Sequence, residues 1–215
     1  MKYQGRLVLL FMSLLTSFIF GVLSDGLTPL FFMFAIVHAI VSWLFGSWYD
    51  KSSYFSYHDP LTGVYNRRYA YAVLEKKFRR AEKRKQPVGI ITFDIDEFKA
   101  INDSYGHDYG DYVLKEITRI VKRITRKEDI LIRWGGDEFL LLLVNRDKAA
   151  TEKFINDLND TIKTICSRRY VKEENIYITL SVGYSLFPED TKNLYQLITI
   201  ADERMYEVKR GKKSS

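Results

Sequence analysis

The sequence predicts an α/β protein in which one mixed sheet is covered by helices, preceded by a two-helix transmembrane hairpin. Three observations predict it. Residues 7–23 and 27–49 are two stretches free of Asp, Glu, Lys and Arg, each near the roughly 20 apolar residues that a spanning helix needs. Beyond residue 57, short apolar runs alternate with amphipathic stretches in the order β-α-α-β-β-α-β, the pattern of a sheet with helices packed on it. Within that pattern Gly135-Gly136 lies between the apolar runs 130–132 and 139–144. This is a strong hairpin signal, because both glycines can take positive φ without a Cβ penalty.

At 215 residues, with 47% hydrophobic and 28% charged side chains, the chain is long enough for one well-buried domain and something extra. Lys2 and Arg6 precede the first apolar stretch and Lys51, Arg67 and Arg68 follow the second, while Ser24-Asp25-Gly26 between them suits a tight turn without Lys or Arg. The positive-inside rule then puts both termini, and the domain that follows, on the cytoplasmic side of the cell membrane. A cleaved signal peptide is the competing reading of the first stretch, but its cleavage pattern is unconvincing and a second apolar stretch follows at once. Trp43, Trp48 and Tyr49 fit an interfacial aromatic belt. His38, placed mid-span, is expected to pack against the partner helix. Cys166 is the only cysteine, which excludes a disulfide framework and fits a reducing compartment. The net charge of +6 concentrates in residues 76–85 and 209–213. Anionic lipid or nucleotide phosphate explains it, and no nucleic-acid motif accompanies it.

Residues 50–57 form a polar and aromatic linker, and residues 58–215 the domain. His58-Asp59-Pro60-Leu61-Thr62-Gly63 reads as a loop into a helix over 66–85, closed by Pro87. Strand 88–94, helix 98–105, a break over 106–110 and helix 111–124 follow, then strands 130–134 and 139–144, an amphipathic stretch 148–168, strand 176–184 and a final helix 193–209.

Two places carry chemistry. The tip Gly135-Gly136-Asp137-Glu138 offers bare backbone for a large ligand and carboxylates for a hard divalent cation. By itself it is equally a plain hairpin with solvated acids. Asp94 ends a buried strand just before a helix start, where first-turn amides attract phosphate. A carboxylate beside an anion site calls for a metal between them, so Asp94 is the expected ligand. Asp96 would share its face on a strand but is as well placed to cap the following helix, a structural role. Asp137 and Glu138 point to opposite sides unless the turn relaxes the pleat.

Six blocks in order and spacing, His58 to Arg68, Phe93 to Asp103, Gly106 to Asp111, Arg133 to Phe139, Ser181-Val182-Gly183 and Ala201 to Tyr206, resemble the GGDEF diguanylate cyclase family, with its nucleotide-cyclase, palm-like sheet. The resemblance covers residues 57–213. It implies condensation of two GTP molecules into cyclic di-GMP with release of two pyrophosphates. By position, Asp94, the Ile95 carbonyl and Asp137 would hold magnesium, for which manganese can substitute. Asp137 would accept the proton of the attacking hydroxyl, with Glu138 supporting it. Asn102 and Asp111 would hydrogen-bond the guanine edge, His107 would shape that pocket, and the amides of Glu97, Phe98 and Lys99 would receive phosphate. An Asp facing the guanine N1 and N2 protons rejects adenine, which has no matching donors.

Lys209 falls where the family supplies a cation for the terminal phosphates, and Lys213 four positions on where a second is expected. The basic run is one residue short before Gly211, so Lys212 is the alternative, and weaker GTP affinity is expected. Arg126 and Asp129 resemble the family's inhibitory product site, where an arginine reads guanine O6 and N7 bidentately. The two-fold symmetry of the product implies a homodimer with one half-site in each copy, and the hairpin and linker are the expected dimerising elements. Degenerate members lose hairpin acids or the strand-end aspartate. This chain keeps Asp94, Asp137 and Glu138, which favours catalysis over a non-catalytic receptor for GTP or cyclic di-GMP.

Overall fold

β2 (Val88–Ile95) is buried over its whole length, as its near-continuous apolar run requires of a central strand. The computed structural model, which describes residues 3–23, 28–169 and 178–213, sets β2 antiparallel between β4 (Glu138–Val144) and β5 (Leu180–Phe187). β3 (Ile130–Arg133) pairs antiparallel with β4, and β1 (Tyr65–Asn66) pairs parallel with β3. The sheet, in the order β1-β3-β4-β2-β5, is therefore mixed, as expected. β1 is an addition, too short to show alternation in a sequence. The start of the strand expected at residue 176 lies outside the described residues.

Strand parity decides the two layers. Odd positions Ile91, Phe93, Ile95, Phe139, Leu141 and Leu143 face α5 (His107–Ile124) and α6 (Lys148–Arg169). Even positions Val88, Ile90, Leu140 and Leu142 face α3 (Arg67–Lys83) and α7 (Leu194–Lys213). Asn66 caps α3, its Oδ1 accepting from Tyr69 N at 3.0 Å, so the helix starts within one residue of the expected point. The break expected over 106–110 is a single residue. Gly106, at φ 83°, separates α4 (Phe98–Tyr105) from α5, because a left-handed glycine turns the chain in one step. α7 runs on through Gly211 to Lys213, past the expected end at 209.

The hairpin tip differs from expectation in its backbone. Among the described glycines only Gly63 and Gly106 take positive φ, so Gly135 and Gly136 are not there for left-handed freedom. Trp134 N and Gly135 N both donate to Glu138 O, at 2.7 and 3.2 Å, closing a wider turn. At Gly135 the Glu138 carboxylate comes close, since a Cβ there would lie 2.8 Å from Glu138 Oε2, a contact that side chain can relieve by moving.

The chain divides into two compact units, residues 1–57 and 58–215. The first contains α1 (Gln4–Leu23) and α2 (Pro29–Tyr57). The stretch 50–57 is helical, the last turns of α2, and the turn expected at Ser24-Asp25-Gly26 lies outside the described residues. The helices meet at glycines: a Cβ on Gly46 would stand 2.5 Å from Arg6 Cα. There Asp50 caps α1, accepting from Gly5 N at 2.7 Å and Arg6 N at 3.3 Å, with Arg6 Nε at 3.5 Å. His38 packs 5.7 Å from Phe34, one turn back on its own helix. By length and composition both helices could cross a membrane, and in their most apolar windows only 11% and 6% of residues are buried.

Candidate active site

β2 delivers Asp94 and Ile95 to the open end of the sheet, and β4 starts there with Glu138 opposite Asp94. The hairpin tip is tied to β2 by Ile95 N donating to Asp137 O at 3.4 Å. Asp94, Asp137 and Glu138 thereby form one electrostatic cluster. Burial pushes the Asp94 carboxyl up; its bond to Lys209 opposes this and the neighbouring Asp137 charge adds to it, leaving it raised. Glu138 is also raised, by burial first and then by Asp94, Asp137 and Asp202 of α7. Asp202 had no place in the sequence-based site; its charge matters only because α7 packs across β5 and β2.

Asp94 and Asp96 do share a face. Lys209 Nζ donates to Asp94 Oδ1 at 2.7 Å, and Lys212 Nζ to Asp96 Oδ2 at 2.6 Å and to Leu180 O at 2.8 Å. Two residues along a strand advance roughly 6.8 Å and three along a helix about 4.5 Å, a difference that lysine stems absorb. The expectation that Asp96 caps α4 is corrected. The cap is Glu97, left-handed at φ 54° and without a side-chain bond, while Asp96 accepts from Thr179 Oγ1 at 2.6 Å and Ser181 Oγ at 2.5 Å. Burial works against the Asp96 charge, but Lys212, Ser181 and Thr179 outweigh it and hold its carboxyl low. Its role is structural: it clamps β2 to β5 and α7. Lys212, the alternative to Lys213 for the second phosphate cation, is bound in that clamp.

α4 starts immediately after this point, so the first-turn amides of Phe98 and Lys99 lie beside Asp94 in sequence and have no partner within the helix. Asn102 lies against Gly110 of α5, where a Cβ would collide with Asn102 Oδ1 and approach Phe98 Cζ to 3.2 Å. Glycine there lets the Asn102 side chain lie directly against the backbone of α5. His107 and Asp111 are exposed on one face of α5, one turn apart. Gly106 precedes α5, so Asp111 is no cap.

Sequence reasoning missed a further link. Arg133 Nη1 donates to Asp59 Oδ1 and Oδ2 at 3.0 and 3.1 Å, and its Nε and Nη2 donate to Gly136 O at 3.1 and 2.7 Å. Asp59 also accepts from Thr62 N and Oγ1 at 2.8 and 2.6 Å. One guanidinium thus fastens the loop at the domain's start to the hairpin tip. Its signal lay in two acid and base positions inside quoted blocks, 74 residues apart, whose pairing no local pattern reveals.

Arg126 and Asp129 sit apart from this cluster, at the other end of β4, roughly 20 Å away along seven residues. Asp129 is internal. It accepts from Arg126 N at 2.8 Å, Val144 N at 3.1 Å and Arg146 Nη2 at 2.9 Å, with its side chain fully buried. Arg126 is exposed.

Among the described residues no three His, Cys, Asp or Glu side chains form a ready metal cage. Two carboxylates and the Ile95 carbonyl nonetheless fit magnesium, which takes one or two carboxylates and completes its shell with water and substrate phosphate. The raised Asp94 and Glu138 carboxyls mark an oxygen donor set short of positive charge.

A mixed sheet presenting carboxylates on a hairpin beside a strand-end aspartate and a helix amino end is the build of a nucleotidyl cyclase domain. The chain belongs to the family described as diguanylate cyclase, GGDEF domain, which matches residues 56–215. It is 33% identical over 152 residues to the bifunctional diguanylate cyclase/cyclic di-GMP phosphodiesterase MucR of Pseudomonas aeruginosa, covering 71% of this chain and 22% of MucR. It is 32% identical over 158 residues to the diguanylate cyclase DosC of Escherichia coli, covering 71% of this chain and 33% of DosC. The chain thus spans about a third or less of these relatives. Among solved structures, the GGDEF domain of DgcB from Caulobacter crescentus in complex with c-di-GMP superposes with a TM-score of 0.65 at 25% identity, over 73% of this chain and 91% of that one.

Proposed function

We propose that this chain is a membrane-anchored diguanylate cyclase, acting as a homodimer that condenses two GTP molecules into cyclic di-GMP and two pyrophosphates. The observation that carries this reading is the single charged cluster of Asp94, Asp137, Glu138 and Lys209 at the sheet end, beside the amides of α4. Magnesium held by Asp94, the Ile95 carbonyl and Asp137 would neutralise charge on the reacting phosphates. Asp137 takes the proton of the attacking 3′-hydroxyl, and Glu138 keeps the site negative enough to favour that transfer. Asn102 and Asp111 hold the guanine edge with His107 beside them. The amides of Glu97, Phe98 and Lys99 receive phosphate, and Lys209 and Lys213 take the terminal phosphates. One domain holds one nucleotide, so the partner copy supplies the other half-site. The apolar pair α1 and α2 anchors the protein in the membrane lipid, with both termini and the domain in the cytoplasm, and raises the local concentration of partner domains.

The test uses the full chain in detergent micelles with GTP and magnesium, nucleotides being followed by chromatography. Cyclic di-GMP is the expected product. GTP or cyclic di-GMP bound but unconverted would instead support the receptor reading. Added cyclic di-GMP is expected to slow the wild type, and Arg126→Ala to remove most of that inhibition. Arg126 is the residue to change, because losing Asp129 would leave Arg146, itself 8% exposed, without its carboxylate. Undiminished inhibition in Arg126→Ala would rule out the product site there.

The raised Asp94 and Glu138 carboxyls fix the sign of a pH effect. A carboxyl that binds its proton above the ordinary range loses the cation sooner as pH falls. The magnesium concentration for half-maximal rate is therefore expected to climb as pH drops from about 8 to about 5, with the rise beginning above the usual carboxylate range. A half-maximal concentration that stays constant over that window would refute it.

A further inference from the structure

We propose that Lys209 is the internal counter-ion of Asp94, and that nucleotide phosphate must draw it away before a divalent cation can bind there, so that cation binding is conditional on nucleotide. The inference rests on the reading of Asp94 as a cation ligand and of Lys209 as a phosphate ligand.

The Asp94 side chain is only 3% exposed and lies among the like charges of Asp137 and Asp96. A buried carboxylate in that position needs a positive partner, and the Lys209 ammonium supplies it at 2.7 Å. A divalent cation arriving at Asp94 meets a positive charge already in place. Lys209 cannot yield by moving its backbone, because α7 is pressed onto β5: a Cβ on Gly183 would collide with Ala201 O and Met205 N of that helix. Its stem can swing, since the side chain is 29% exposed and a single acceptor is described for it. Lys212 holds two acceptors at once, Asp96 and Leu180 O. One lysine is thus a fixed clasp and the other a movable charge, one turn apart.

A triphosphate offers Lys209 more negative charge than Asp94 does. Once the ammonium turns to the phosphates, Asp94 is left with uncompensated charge and a phosphate oxygen close by, the conditions for a magnesium-type site. Nucleotide and cation then assist each other equally, as thermodynamic linkage requires.

The experiment titrates Mn2+ into the full chain in detergent micelles and reads free Mn2+ by electron paramagnetic resonance, with and without a non-reacting α,β-methylene GTP. The wild type is expected to bind Mn2+ at least about tenfold more tightly with the analogue than without it. Lys209→Met is expected to bind Mn2+ without the analogue at least about tenfold more tightly than the wild type, and to lose most of the dependence on the analogue. Lys209→Arg, which keeps the charge, should behave as the wild type, and Asp94→Asn added to Lys209→Met should abolish the gain. Wild-type binding that needs the analogue, combined with Lys209→Met binding no better than wild type in its absence, overturns the counter-ion role alone. Absence of Mn2+ binding by every form, even with the analogue, overturns the metal reading and this inference with it.

Discussion

Asp137→Ala is expected to lower cyclic di-GMP formation by at least about a thousandfold while leaving the folded domain intact. The size follows from two losses at one position, a cation ligand and a proton acceptor, each of which is commonly worth a hundredfold or more. The intact fold follows from what holds the tip. Trp134 N and Gly135 N bond to Glu138 O, Ile95 N bonds to the backbone oxygen of Asp137, and Arg133 grips Gly136 O. None of these uses the Asp137 side chain. The thermal midpoint should therefore stay within a degree or two of wild type, the effect of well under about 1 kcal/mol that a partly exposed turn substitution produces. Activity by nucleotide chromatography and melting by circular dichroism decide the matter together. A variant that keeps a tenth of the wild-type rate would remove Asp137 from the chemistry, and one that melts far lower would show that its side chain holds the hairpin.

Gly183→Ala should act through the fold, weakening it by about 3 kcal/mol or more although residue 183 itself has no role in holding nucleotide. β5 and α7 approach so closely at Gly183 that a methyl group would overlap the Ala201 carbonyl oxygen and the Met205 amide nitrogen, both backbone atoms that no rotamer change can remove. Either α7 lifts off or the strand bends. Lifting α7 also withdraws Lys209 from Asp94 and Lys212 from Asp96, so whatever folded fraction survives should bind nucleotide poorly. Urea unfolding gives the first effect and calorimetric titration with the GTP analogue the second. Wild-type stability in this variant would mean that β5 and α7 are not in backbone contact.

The two predictions separate what each part of the sequence contributes. Local patterns were sufficient for the mixed sheet, for most helix limits and for the positions of Asp94, Asp137 and Glu138, because strand alternation, caps and turn glycines act over a few residues. The apolar character of 7–23 and 27–49 is likewise a property of the sequence alone, readable without any neighbour. Local reading failed where a residue's role depends on a distant partner. Asp96 looked like a cap and proved to be a clamp, because Thr179, Ser181 and Lys212 reach it only once β5 and α7 are in place. Gly135 and Gly136 looked like left-handed turn residues, yet neither takes positive φ, and the Glu138 carboxylate lies against Gly135. Arg133 and Asp59 carried no sign of their bond, and spacing did not show that Lys212 reaches Asp96. In each case the deciding quantity is a distance between segments far apart in the chain, set by sheet register and by the packing of α7 on β5, which no short-range periodicity contains.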